Sequence, residues 1–148
     1  MRKRSLAREL ALQILYQYDI SGPEVVEEAE QLLSDRCSDP AVVRFATGLV
    51  SGWWENRVYI DELIQRSAHN WDLSRMAMID RNILRLGTYE LVFRPDIPAA
   101  VSINEAIDMA KKYSTQYSGQ FVNGVLDNIR IQIQTPGNAP RASCTARP

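Results

Sequence analysis

Histidine and cysteine are nearly missing from this chain, with one His and two Cys among 148 residues. The lone His69 and the well-separated Cys37 and Cys144 cannot supply the paired ligands of a structural zinc site. The two cysteines lie in unlike contexts, so they read as free thiols in a reducing cytosol. Glycine appears neither as GxGxxG nor as GxxxxGK[ST], which excludes the common phosphate cradles. No run approaches the roughly 18 apolar residues of a membrane span, and the basic N-terminus leads into an amphipathic stretch instead of an apolar signal core. No alternating strand pattern stands out. These absences predict a soluble, cytoplasmic, all-α protein with no metal and no cofactor, in which candidates for catalysis are thin.

Helical periodicity fills most of the chain. Leu6, Leu10 and Ile14, with Ala7, Ala11, Leu15 and Tyr18, form one apolar stripe. Ser21-Gly22-Pro23 ends it, and a second helix is expected from Pro23 to Leu33. Asp39-Pro40 repeats the start signal and opens a long third helix to about Ser67. Gly48 and Gly52, four apart inside it, read as a close helix crossing. Trp53-Trp54 either divides between core and boundary or stacks a base, and the first reading is the commoner in an amphipathic helix. His69-Asn70-Trp71-Asp72 reads as the connection between two halves, followed by a short turn over residues 73–76. Ile79, Ile83, Leu84, Leu86, Tyr89, Leu91 and Val92 mark the next helix, stopped by Pro95 and Pro98. Ser102-Ile103-Asn104-Glu105 has the form of a capping box opening a helix to about Tyr113. The last helix places Val122, Val125, Leu126 and Ile129 on one face. Gly124 lies inside it at a cost of roughly 1 kcal/mol against alanine, and close packing is the expected reason. Six to seven helices result, in subdomains of about 1–70 and 71–136, with a disordered tail over 137–148.

Net charge is −1, yet its distribution is uneven. Arg2, Lys3, Arg4 and Arg8 precede every acid, whereas Asp19, Glu24, Glu27, Glu28, Glu30, Asp35 and Asp39 follow against the single Arg36. Tyr16 and Leu12 fall off the main apolar stripe beside that basic start. Cations for phosphates together with an exposed ring for an unstacked base are what single-stranded RNA requires. A solvated basic arm is the plainer alternative, although positive charge at a helix N-terminus opposes the helix dipole.

Four blocks then acquire a common meaning: RELALQILY from Arg8, DRNILRLGTYEL from Asp80, IP at Ile97 with VSINEAIDMAKKY from Val101, and FVNGVLD from Phe121. In this order they resemble the NusB family of bacterial transcription antitermination factors, over about Arg2 to Ile133. The resemblance implies two packed helical subdomains and no catalysis. It implies binding of the single-stranded boxA element of nascent ribosomal RNA leaders with NusE, a protein of the small ribosomal subunit. NusA and NusG complete the complex that lets RNA polymerase read through terminators. On the matching positions, RNA contacts fall to Arg2, Lys3, Arg4, Arg8, Tyr16, Gln120, Phe121 and Asn123, with Asp127 in the last motif. The NusE side falls to Asp80, Arg81 and Arg85. Ser5-Leu6-Ala7 interrupt the arginine run seen in many members, which implies fewer charges on the RNA. The family also contains accessory domains of ribosomal RNA cytosine methyltransferases, and some members form homodimers. An adaptor that never touches RNA is the third reading.

Overall fold

In a computed structural model, residues 2–69 and 71–134 are described, and all regular structure among them is helical. Cys144 and the expected tail lie outside the described residues. The eight α-helices are α1 (Lys3–Ser21), α2 (Glu24–Glu27), α3 (Ala29–Arg36), α4 (Pro40–Glu55), α5 (Arg57–Ser67), α6 (Met78–Phe93), α7 (Ala99–Tyr113) and α8 (Ser118–Gln134). A 3-10 turn at Leu73–Arg75 precedes α6. The chain divides into two compact units between Glu55 and Asn56, earlier than the boundary expected near residue 70. Asn56 leaves helical geometry there (φ −116°, ψ 18°), so the long third helix is in fact α4 and α5. A similar interruption at Glu28 (φ −96°, ψ 5°) divides the expected second helix into α2 and α3.

In the first unit, the stripe of α1 delivers Ala7, Leu10, Ala11, Ile14 and Leu15 to the interior. Leu12, expected off that stripe, is buried as well. Gly22 ends α1 with φ +100°, a conformation that favours glycine, and its N–H donates to the Tyr18 carbonyl at 2.8 Å. α4 packs on α1 and α3. Asp39 caps α4 as expected, its Oδ1 accepting from the Ala41 N–H at 3.0 Å ahead of Pro40. Trp53 is buried and Trp54 half-buried, and both meet Tyr18 edge-on, with centroids 5.3 and 5.5 Å away. Complete burial of such a side chain contributes about 2 kcal/mol.

In the second unit, α6 packs against α5, α7 and α8. Gly87 permits the approach of α8: a Cβ there would stand 3.0 Å from Leu126 Cδ1. Val122, Val125, Leu126 and Ile129 form the buried face of α8, as the periodicity predicts. Several polar groups buried beside this core are paired, whereas the Thr88 hydroxyl on α6 is buried with no hydrogen-bond partner. Arg85 grips Asp61 through Nε–Oδ1 and Nη2–Oδ2 bonds of 3.0 Å each and donates to Asn82 Oδ1 at 3.0 Å. Ser102 corrects the capping-box reading, because α7 already starts at Ala99, after Pro98. Its hydroxyl lies inside the helix and donates to Glu90 Oε1 at 2.8 Å.

Candidate nucleic-acid interface

Two surfaces carry the residues singled out in the sequence, one in each unit. At the start of α1 no side chain caps the helix and no acid occupies its first turn, so the helix itself supplies nothing to offset the basic cluster. Arg2, Lys3 and Arg4 are exposed. Lys3 Nζ lies 3.1 Å from Asp39 Oδ2, and this ammonium, with the Ala41 N–H, holds the Asp39 carboxyl below the ordinary aspartate range. The Arg4 guanidinium stands 4.6 Å from the centroid of Phe45, and that of Arg8 stands 5.4 Å from the same ring. Arg8 is only 3% exposed, so it braces the interior and offers little surface to a phosphate. The cationic surface here is therefore Arg2, Lys3 and Arg4.

Tyr16 is 42% exposed and stands off the core, as its helical position predicts. Its neighbours Gln13 and Gln17 both accept from the Arg36 guanidinium. Arg36 thus brings a further exposed cation back to the Tyr16 stretch of α1. Its isolation among acids was the available signal, but the return of α3 to α1 has no local signature.

At the start of α8, Gln120 and Asn123 are exposed and Phe121 is half-buried. Phe121 meets Trp71 edge-on, with centroids 5.9 Å apart and planes at 68°. Trp71 itself is 52% exposed. Gln65 holds the segment bearing it: Gln65 Nε2 donates to the Trp71 carbonyl at 2.7 Å and Oε1 accepts from the Leu73 N–H at 2.8 Å. Asp127 is paired with Arg130 at 2.7 Å. The Lys111 stem lies where a Cβ on Gly119 would touch it, at 3.4 Å, so α7 contributes a cation beside Gln120 that the sequence reading passed over.

Gly124 overturns the packing expectation. A Cβ there would meet nothing within 4 Å, and the residue is exposed between Asn123 and the Asp127 pair. Gly48 is equally open, whereas Gly52 is buried. Asp80, Arg81 and Arg85, expected to face a protein partner, do not form an exposed patch. Asp80 is 8% exposed and accepts from Ser114 Oγ at 2.6 Å and Ser118 Oγ at 3.0 Å. Arg85 is committed to Asp61 and Asn82. Arg81 is half-buried, with Nη1 3.4 Å from the Leu73 carbonyl.

Among the described residues no group of three or more His, Cys, Asp or Glu is placed to hold a metal, and no helix is long and apolar enough to cross a membrane. Cys37 is a free, half-buried thiol.

Comparison with known proteins agrees with the four sequence blocks. The model of the NusB family matches residues 5–130. The transcription antitermination protein NusB of Myxococcus xanthus is 45% identical over 140 residues, covering 92% of this chain and all of that protein. A solved structure of T. maritima NusB superposes with a TM-score of 0.80 at 38% identity, covering 93% of each chain. A crystal structure of the antitermination factors NusB and NusE in complex with double-stranded RNA gives a TM-score of 0.74 at 31% identity, covering 88% of this chain and 98% of that one. With its helical fold, its sequence blocks and its relatives all in agreement, this chain belongs to the NusB family.

Proposed function

We propose that the chain is a transcription antitermination factor that binds the boxA element of nascent ribosomal RNA leaders together with NusE. Acting in the cytoplasm with NusA and NusG, it helps RNA polymerase pass terminators, and it does so without catalysis or a cofactor. The family match across residues 5–130 is the observation that carries this reading. Relatives bearing the antitermination name favour it over an accessory role for a ribosomal RNA methyltransferase.

The side chains supply a compatible chemistry. Arg2, Lys3 and Arg4 meet phosphates, Tyr16 and Phe121 offer ring faces, and Gln120 and Asn123 offer amide groups. Arg8 acts from beneath, fixing Phe45 and with it Arg4. Of the three residues assigned to the NusE side, Arg81 retains surface for a contact, while Asp80 and Arg85 shape the region from within. Three available cations give a fall of about two units in log K per decade of salt, at about 0.7 per phosphate contact on a single strand.

The decisive measurement is binding of boxA RNA across a salt series, with and without NusE, beside scrambled and duplex RNA. Binding that NusE strengthens and that prefers the boxA single strand is expected. Equal binding of the scrambled strand, or no effect of NusE, would refute the proposal. Replacing Arg2, Lys3 and Arg4 by alanine should flatten the salt dependence by about two units.

A further inference from the structure

A cavity of about 320 Å³ opens beside Phe121 in the second unit. Trp71, Tyr117 and Phe121 wall it, and Met76, Ala77 and Asp80 complete most of its predominantly apolar lining. This volume lies at the small end of ligand sites, which suits a single flat ring system better than a peptide helix. Its mouth is aromatic and open: Tyr117 is 69% exposed and Trp71 52%. Its depth holds one acid. Asp80 accepts one hydroxyl on each oxygen, from Ser114 at 2.6 Å and from Ser118 at 3.0 Å. A carboxylate has about four acceptor positions, so about two stay open after these bonds. Ser118 is itself fixed, since the Thr115 N–H donates to its Oγ at 3.3 Å. The acceptor is therefore held in place before any ligand arrives, on a helix whose position is set by the core.

Such a slot rejects a phosphate, because a buried carboxylate repels it, and welcomes a neutral ring that carries an N–H donor. We propose that the slot receives one base of the bound RNA strand, stacked against the Phe121 and Trp71 rings, and that Asp80 selects a base bearing an exocyclic amino group. This inference rests on the RNA-binding reading above and adds to it a defined base subsite with a named acceptor. Uracil, which has no exocyclic amino group and whose N3–H lies between two carbonyl oxygens that the carboxylate repels, is disfavoured there.

The test uses the full chain and boxA RNA in which each base in turn is removed to leave an abasic ribose. At one position the loss should be about tenfold, within the range for a stacked base. Ala77→Trp, at an exposed position on the slot, should bind the parent RNA about tenfold more weakly and show no further loss with that same abasic RNA. Replacing the base there by an analogue without its amino group should weaken the native chain several-fold. The same replacement should cost Asp80→Asn less, because its amide keeps one acceptor oxygen where the carboxylate has two. Trp71→Ala, at an exposed site where folding is not at stake, should reproduce the effect of Ala77→Trp. The slot is refuted if the parent RNA binds but every abasic position costs the same in the native chain and in Ala77→Trp. It is refuted equally if Ala77→Trp spares RNA affinity and abolishes binding of NusE, which would make the slot a pocket for a protein side chain. Failure of the native chain to bind boxA RNA with or without NusE would instead remove the RNA reading itself, and the slot with it.

Discussion

The polar residues of α6 and those at the starts of α1 and α8 look alike in sequence and differ in how they are engaged. On α6, Asp80, Asn82, Arg85 and Glu90 are buried and bonded to Ser114, Ser118, Asp61 and Ser102 or to one another. At the helix starts, Arg2, Gln120 and Asn123 stand in solvent, and Gly124 has no side chain at all. A polar residue in a family block can thus maintain the fold, contact a ligand or, as proposed for Asp80, do both, and burial shows which of them the core engages. Five substitutions or conditions measure that distinction.

Arg85→Ala should have the largest effect, about 3 kcal/mol of lost stability by denaturant unfolding, because it strands Asp61 and Asn82 without their common donor. Gly87→Ala comes next. Although it removes a glycine from a helix, it should destabilise by about 2 kcal/mol as the new methyl meets Leu126. Phe121→Ala should weaken boxA binding about tenfold with little change in thermal midpoint, and an equal loss of stability would place Phe121 with the core. Gly124→Ala should do the reverse of Gly87→Ala and raise stability by up to about 1 kcal/mol, as thermal unfolding will show. The smallest effect belongs to the Lys3–Asp39 pair. Because the folded-state Asp39 carboxyl is held low, its contribution is fully present above the ordinary aspartate range and is lost as pH falls through the lowered value. Acid titration of Asp39→Asn should lack that component, and high salt should shrink it in the native chain.

Periodicity revealed α1, α6 and α8 because each buries a wide apolar stripe, and Asp39-Pro40 revealed the start of α4 because cap and proline act locally. The breaks at Glu28 and Asn56 have no such local signal. Neither break residue is glycine or proline, and both are ordinary residues in a sparsely populated backbone region. Ser102 had the right spacing for a cap, yet the proline four residues earlier had already started the helix. For the candidate site, the exposed Tyr16 and Asn123 are legible from the helical wheel, whereas Gln120 is singled out only by the family resemblance. The burial of Arg8 is not legible, since it depends on Phe45, thirty-seven positions away. Nor is the meeting of Trp71 with Phe121, fifty positions apart.

The two bonds of Gln65 have a consequence for motion. A surface connection held only by its own backbone fluctuates in nanoseconds to microseconds. Here the Leu73 amide and the Trp71 carbonyl are tied to one side chain of α5. Hydrogen exchange at Leu73 should therefore follow the slower local opening of that helix, and the indole beside Phe121 should behave as part of the folded scaffold rather than as a loop tip.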